Sequence, residues 1–291
     1  MKKESISTFS NSEKIDKLLK KKGKEKIVMV TCYDYSFASI LDQVGLDIIL
    51  VGDSLANVVL GKEFTKEVSF REMFEHTKAV KKAVQHSLVV ADMPYVCYQK
   101  APKKAVYYAK KFIYEAGAEA VKIEWFSNCL QVTNQLIANR IPVMGHIGLT
   151  PQTVQKLGGF RVQGKKFHRA LSLLKQAREL QRIGVFSLVL ECLPLQLAEL
   201  ITQSLKIPTI GIGAGPHCDG QVLVLYDLLG LYKKMKAKFV RVYCDLYPLI
   251  VKALKDFICD VKGRNFPLAE ESFSMSEEEF RKLKDYLAKR R

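Results

Sequence analysis

The chain has 291 residues, 48% hydrophobic and 26% charged, a globular composition that excludes disordered and fibrous classes. Its 46 lysines and arginines against 30 acids give a formal net charge of +16, which suggests an anionic partner such as nucleic acid. Less than half of the excess lies in the termini, since residues 1–26 carry nine bases and four acids and residues 275–291 carry six bases and four acids. Neither internal basic cluster (100–111 and 156–182) is interleaved with aromatic residues as in a single-strand groove. The charge therefore favours a lysine-rich solvated surface over a nucleic-acid-binding protein.

The cysteines and the N-terminal residues predict the cellular compartment in which the protein lies. The seven cysteines are odd in number and form no C-x-x-C pair, which argues against a zinc site and a disulfide framework. The first residues lack the apolar core of a signal peptide, and no stretch of about 18 apolar residues follows. The sequence predicts a cytoplasmic protein that has no membrane partner.

Short apolar runs alternate with longer segments of helical period along the chain. The runs predict strands at 27–32, 47–51, 87–91, 120–123, 141–146, 186–190, 208–212 and 221–226. The segments between them predict helices at 35–44, 70–84, 102–116, 128–138, 167–183 and 195–204. Continuous hydrophobicity is typical of parallel strands that are covered on both faces. Eight such units predict an α/β fold, a closed (β/α)8 TIM barrel, and a doubly wound open sheet is the alternative.

Both ends of the chain carry additional helical segments. A basic helix is predicted at 7–22, where it would cover the bottom of the barrel, and another helix at 244–261. Ser276 followed by three glutamates is a capping box that opens a last helix, which extends to about residue 289. We expect a single catalytic domain over residues 1–274 and a C-terminal helical extension over residues 275–291.

Polar residues end nearly every predicted strand, where active-site groups of this fold lie. They are Asp34, Asp53, Ser54, Asp92, Lys122, Glu124, His146, Glu191, the glycine-rich stretch 211–215 and Asp227. Asp34 and Asp227 have a second interpretation as helix caps, and Glu191 has one as a cap near Pro194. His146 is open as a ligand, an acid or a packed core residue. The glycine-rich stretch is a weak signal for a phosphate-binding turn.

Three carboxylates from consecutive strands predict a metal site. Asp53, Asp92 and Glu124 would converge at the barrel mouth, and they cannot all stay ionised there without a cation. Oxygen ligands alone favour Mg²⁺ over zinc. Lys122 lies two residues before Glu124 and faces the same way, so its ammonium would pair with an anionic substrate. Glu191 ends an apolar strand, where a raised pKa suits a general base.

Eight ordered motifs together closely resemble the ketopantoate hydroxymethyltransferase (3-methyl-2-oxobutanoate hydroxymethyltransferase) family, over about residues 9–274. These are VTCYDYSFA (30–38), VGDSLANVVLG (51–61), ADMP (91–94), VKIE (121–124), GHIGLTPQ (145–152), GGFRVQG (158–164), LVLECLP (188–194) and IGIGAG…CDGQVLVLYDLLG (210–230). The resemblance implies a TIM barrel of the phosphoenolpyruvate/pyruvate-like group and a homo-oligomer, usually a decamer. The chain departs from the family's usual residues at Ala56, Lys62 and Trp125-Phe126, which bears on the folate side and the loop lids.

The resemblance also implies a role for each matching residue. The implied Mg²⁺ ligands are Asp53, Asp92 and Glu124, and the implied ketoacid contacts are Asp53, Ser54, Asp92 and Lys122. Glu191 is the implied proton acceptor.

The reaction implied is transfer of a hydroxymethyl group from 5,10-methylenetetrahydrofolate to 3-methyl-2-oxobutanoate, giving ketopantoate in pantothenate biosynthesis. Our hypothesis is an aldol-type mechanism through an enolate that Mg²⁺ and Lys122 stabilise. The alternative is a Mg²⁺-dependent C–C lyase of the same barrel group, because metal-assisted enolate chemistry is common to both.

Overall fold

Eight parallel strands close into a barrel in the computed structural model, which describes residues 10–157, 159–234 and 237–290. The strands are β1 (Ile27–Thr31), β2 (Ile48–Val51), β3 (Leu88–Asp92), β4 (Ala120–Glu124), β5 (Val143–Gly148), β6 (Ser187–Glu191), β7 (Thr209–Ile212) and β8 (Gly220–Leu223). Each strand pairs with the next, and Val28 of β1 pairs with Gln221 of β8. The predicted TIM barrel is confirmed, and the open-sheet alternative is wrong.

Helices occupy the segments between the strands. They are α1 (Ser10–Lys21), α2 (Tyr35–Gln43), α3 (Leu55–Val58), α4 (Phe70–Ala83), α5 (Tyr95–Tyr98), α6 (Pro102–Tyr114), α7 (Cys129–Ala138), α8 (Phe167–Ile183), α9 (Leu195–Ser204) and α10 (Leu225–Leu228). Short 3-10 turns span Thr65–Glu67 and Pro151–Leu157. All six helices that the sequence predicts between strands are present. None of the helices among the described residues is both long and apolar enough to cross a bilayer.

The eighth predicted strand is shorter than the apolar run that predicts it. The strand ends at Leu223, and the rest of the run forms the start of α10. The Leu225 N–H donates to the side-chain oxygen of Thr31 at 3.1 Å instead of joining the sheet. Hydrophobic period alone does not separate a buried strand from a buried helical turn, which explains the error.

The strands bury both faces, as continuous hydrophobicity predicts. Met29 and Leu50 belong to the core inside the barrel, while the alternate residues Val30 and Val51 pack toward the surrounding helices. Side chains of a strand point alternately to opposite faces, so each strand contributes to both cores. This alternation also determines which residues reach the mouth of the barrel.

The basic helix α1 closes the N-terminal end of the barrel, as predicted; the predicted start at Ser7 lies outside the described residues. Its Leu18 packs into the inner core, and lysines in and directly after the helix pair with carboxylates just before strands. Lys14 lies 2.9 Å from Glu119, and Lys22 lies 2.7 Å from Asp219. Part of the basic excess is therefore structural.

The chain divides into two compact units, one that ends at Tyr243 and one that begins at Cys244. The second unit contains α11 (Leu246–Gly263), a 3-10 turn (Ala269–Glu271) and α12 (Glu277–Ala288). Ser276 caps α12 by accepting a hydrogen bond from the Glu279 N–H, as the capping box predicts. The boundary at residue 274 stays a prediction.

Replacement of Asp219 by alanine should lower the free energy of unfolding by about 2–4 kcal/mol, because it leaves buried donors without an acceptor. The carboxylate accepts from the Thr209 N–H at 2.8 Å, from Lys22 and from the Gly23 N–H. Urea unfolding followed by the fluorescence of the single tryptophan measures the change.

Glu13→Ala is the control for Asp219→Ala, since the Glu13–Lys17 pair is mostly exposed and contributes little to stability. Equal effects of the two substitutions would contradict the structural role of Asp219.

Candidate active site

The inner face of the barrel becomes polar at the carboxyl ends of the strands. In β3, Leu88 and Val90 lie in the inner core, and Asp92 is the next residue on that face. In β4, Ala120 lies inside, so Lys122 and Glu124 also face inward. Strand alternation thus brings an ammonium and two carboxylates into one small volume.

Two further strands add His146 and Glu191 to the same face. Met144 lies two residues before His146 in β5, and Val189 lies two residues before Glu191 in β6. Both apolar residues belong to the inner core, so His146 and Glu191 face the same way. Asp53 and Ser54 follow β2 in the turn before α3. All six residues predicted for catalysis or ligand binding lie at the barrel mouth.

A cavity of about 570 Å³ opens at this end of the barrel. It lies in the range of roughly 300–1,000 Å³ that small-molecule sites occupy. The predicted residues that line it are Asp53, Ser54, Asp92, Lys122, His146, Glu191 and Asp227. Glu124 is not among the lining residues and lies buried beside them.

A buried ion pair joins β3 and β4 at the floor of the cavity. The Lys122 ammonium contacts Asp92 Oδ1, and both side chains are at most 5% exposed. Asp92 Oδ2 accepts a hydrogen bond from the Asp53 N–H at 3.0 Å. Burial alone would lower the pKa of Lys122, but Asp92, Asp53 and Glu124 raise it above its usual value. Lys122 is therefore a permanent cation, fixed where an anionic substrate would bind.

Two carboxylate oxygens of the cluster have no hydrogen-bond partner. These are Asp53 Oδ2 and Glu124 Oε1, both fully buried, whereas Glu124 Oε2 accepts from the Gln152 N–H at 3.0 Å. Burial, followed by repulsion from Asp53, raises the pKa of Glu124 well above its usual value. Buried oxygens normally have a partner, so this pair is suited to a cation.

The donor set fits Mg²⁺ if water and substrate complete its coordination. Mg²⁺ is usually held by one or two carboxylates and keeps several waters. Within the described ranges, no group of three or more His, Cys, Asp or Glu side chains is arranged to hold a metal ion. Asp92 is already engaged by Lys122 and by the Asp53 N–H. Direct ligation by Asp53, Asp92 and Glu124 together stays a prediction.

His146 lies between the two glutamates of the site. Its Nε2 is 3.2 Å from Glu191 Oε2 and its Nδ1 is 3.5 Å from Glu124 Oε1, although neither contact has hydrogen-bond geometry. Burial and the nearby Lys122 lower the pKa of His146 well below its usual value, so the ring is neutral. Burial raises the pKa of Glu191 to about 8. The role of Glu191 as a base stays a prediction, and His146 remains open as a ligand, an acid or a packed core residue.

A chain of hydroxyl groups positions Ser54. The Tyr33 hydroxyl lies 2.7 Å from Ser54 Oγ and donates to Thr31 Oγ1 at 2.8 Å. Thr31 also accepts from the Leu225 N–H, at the start of α10. Tyr33 and Thr31 are not among the residues predicted from the sequence, although both lie at the first strand end, close to the predicted Asp34.

The structure decides the three capping hypotheses. Asp34 caps α2, because its carboxylate accepts from the Phe37 N–H at 2.9 Å. Capping by Asp227 is wrong: it is the third residue of α10, it caps nothing, and it lines the cavity. Capping by Glu191 is also wrong, since α9 begins after Pro194 and has no side-chain cap.

Packing accounts for two glycines of the stretch 211–215. Gly213 has a φ of 63°, and a Cβ there would lie 2.6 Å from the ring of Phe239. A Cβ at Gly215, with a φ of 81°, would lie 2.6 Å from Leu195 Cβ. These positions require glycine for close approach and backbone conformation. Phosphate binding by this stretch stays a hypothesis.

Residues 12–269 match the sequence model of a family described as ketopantoate hydroxymethyltransferase. A 3-methyl-2-oxobutanoate hydroxymethyltransferase of Syntrophomonas wolfei is 49% identical over 259 residues, 89% of this chain and 94% of that protein. One of Thermotoga sp. (strain RQ2) is 50% identical over 260 residues, 89% of this chain and 96% of that protein.

Solved structures with a similar fold are much more distant in sequence. One is 2,3-dimethylmalate lyase, a PEP mutase/isocitrate lyase superfamily member, with a TM-score of 0.56 at 13% identity over 94% of this chain and 99% of that one. Another is phosphonopyruvate hydrolase in complex with oxalate and Mg²⁺, with a TM-score of 0.57 at 11% identity over 95% and 96%. At such identities the likeness shows the barrel fold alone, and membership of the phosphoenolpyruvate/pyruvate-like group stays a prediction.

Binding of Mg²⁺ to the metal-free protein should release protons near pH 7. Without a cation, burial raises the pKa of Glu191 to about 8, so this group holds a proton at pH 7 that a nearby cation would displace, and the raised pKa of Glu124 acts in the same direction. The number of protons released should fall above about pH 8, because Glu191 is ionised there even without a cation. Calorimetric titration in two buffers of different ionisation enthalpy measures the number of protons.

Glu124→Gln should weaken the Mg²⁺ affinity by at least about tenfold, because it removes an anionic oxygen. Glu63→Gln is the matched control, since Glu63 lines the same cavity but is exposed. Unchanged affinity in Glu124→Gln would exclude Glu124 from the metal site.

Proposed function

Because the chain belongs to the ketopantoate hydroxymethyltransferase family, whose reaction forms ketopantoate, we propose that it transfers a hydroxymethyl group from 5,10-methylenetetrahydrofolate to 3-methyl-2-oxobutanoate. The observation that supports this activity most strongly is the sequence identity of 49% to such an enzyme over most of the chain. The buried cluster of Asp53, Lys122, Glu124 and Glu191 supports the mechanism, since one cation and several carboxylates suit a small anionic ketoacid.

Asp53 and Glu124, with Asp92 beside them, would hold the metal. Bound Mg²⁺ would act as a Lewis acid on the ketoacid. The oxalate and Mg²⁺ of the phosphonopyruvate hydrolase structure support this assignment, because oxalate presents adjacent oxygens as a 2-oxoacid does. Lys122 pairs with the ketoacid carboxylate and, as a fixed cation, favours the negative charge that develops during proton removal. Ser54 contacts the ketoacid from a position that Tyr33 fixes.

Glu191 is the base that removes the proton from C3 of the ketoacid. It ends β6 at the cavity, its side chain is 14% exposed, and burial raises the pKa of its carboxyl group to about 8. A base of this strength is well matched to proton abstraction near neutral pH. His146 Nε2 lies 3.2 Å from Glu191 Oε2 and so limits the positions of the Glu191 carboxylate. Because its ring is neutral, His146 places no charge beside that carboxylate.

Glu191→Gln should slow exchange of the C3 hydrogen of 3-methyl-2-oxobutanoate by about 10²–10⁴-fold, the usual contribution of a general base. Proton NMR in deuterated buffer with Mg²⁺ measures the exchange directly. Glu63→Gln, at the exposed edge of the cavity, should exchange at the wild-type rate. Normal exchange in Glu191→Gln would remove this residue from the role.

Incubation of the protein with 3-methyl-2-oxobutanoate, 5,10-methylenetetrahydrofolate and Mg²⁺ should yield ketopantoate and tetrahydrofolate in equal amounts. The lyase alternative has only a likeness of fold at 13% identity in its favour. Cleavage of a 2-hydroxy acid in place of ketopantoate formation would make the lyase correct. Chelation of the metal should abolish turnover.

Two further parts of the proposal follow from the resemblance. We expect a homo-oligomer, a decamer in the family pattern, which sedimentation velocity would measure. We also expect a cytoplasmic location.

A further inference from the structure

The cavity is larger than a five-carbon ketoacid requires. Its inner part contains the charged cluster, where the ketoacid would bind. Its lining also includes Phe160, Arg161, Asp227, Tyr232, Lys238 and Phe239. These residues combine aromatic rings with the Asp227 carboxylate and two exposed cations, so they suit a second, flat molecule that has polar edges.

Asp227 is a half-buried carboxylate that has no structural partner. Within the described ranges, no hydrogen bond or ion pair engages its side chain, and burial raises its pKa to about 6. Asp34 and Asp42, two other aspartates outside the charged cluster, are occupied, since Asp34 caps a helix and Asp42 accepts N–H groups of Gln85 and Ser87. A polar group left open at the wall of a cavity is available to a ligand.

The backbone holds Asp227 in a defined position relative to the ketoacid site. Its helix α10 starts at Leu225, whose N–H donates to Thr31. Thr31 also accepts from Tyr33, which contacts Ser54. One hydrogen-bonded chain therefore connects the turn of Asp227 to the turn of Ser54, so the two binding groups are fixed to the same support.

Two aromatic rings line the same cavity as Asp227. The ring of Phe239 packs against Gly213, where any side chain would collide with it. The glycine thus lets this ring lie against the end of β7, where it lines the cavity together with Tyr232. Such a surface offers stacking to a planar heterocycle.

We propose that Asp227 binds the pterin ring of the folate co-substrate by accepting hydrogen bonds from its N3–H and its 2-amino group. This inference rests on the proposed function, since it presumes that a reduced folate is the one-carbon donor. The two donors lie side by side on one edge of the ring, and they match the two oxygens of a carboxylate as the donors of a guanidinium group do. Phe239 would contact the face of the ring.

The test compares tetrahydrofolate with its 2-desamino analogue, which lacks one of the two donors. Wild-type protein should bind tetrahydrofolate about 10- to 100-fold more tightly, the effect of one hydrogen bond to a charged group. Asp227→Asn should weaken tetrahydrofolate binding by a similar factor and should discriminate less than about threefold between the ligands. Calorimetric titration with Mg²⁺ present measures both affinities.

Glu63→Gln is the matched control, because it changes another carboxylate of the cavity and should retain full discrimination. If Asp227→Asn weakened the binding of both ligands equally, its effect would be merely structural and the proposal would be overturned. If the variant does not fold, equal binding of both ligands by the wild type overturns it as well. Kinetics distinguish failure of the proposed function from failure of the role of Asp227. Ketopantoate formation without any folate donor would overturn the proposed function. Folate-dependent turnover without discrimination between the two folates would overturn only the role of Asp227.

Discussion

An excess of buried negative charge at the barrel mouth is the constraint on which the site depends. Four carboxylates, those of Asp53, Asp92, Glu124 and Glu191, surround the single ammonium of Lys122. One cation cannot neutralise four anions in a buried space, so protons or a further cation must do so. The raised pKa values of Glu124 and Glu191 and the unpartnered oxygens of Asp53 and Glu124 are consequences of this one imbalance.

The opposite end of the barrel shows the reverse arrangement. There Glu119 pairs with Lys14 and Lys81, and Asp219 pairs with Lys22 and accepts backbone N–H groups. Every carboxylate named at that end is satisfied, so it contributes to stability and offers nothing to a ligand. The N-terminal end of the barrel thus contributes to stability, and the mouth carries the groups for chemistry, as is general for this fold.

Much of the site was predictable because the strand period is regular. Once a strand ends at Asp92 or Glu191, alternation determines which face its last side chain shares with the core. Asp92, Lys122, Glu124 and Glu191 reach the barrel mouth for this reason, whereas Asp53 and Ser54 lie in the turn after β2. The interpretation of Asp227 as a cap failed because an apolar run of six residues does not show where a strand ends and a helical turn begins.

The sequence by itself determined the barrel, the order of its elements, the family and the residue types at the strand ends, since all of these are local patterns or ordered motifs. Only the tertiary structure decided which charges are paired. Asp92 is engaged by Lys122, while Asp53 and Glu124 keep free oxygens and Asp227 faces the cavity unpaired. The Tyr33–Thr31 chain likewise depends on strands and turns far apart in sequence. Pairing is a property of distance and burial, and these arise only when the barrel closes.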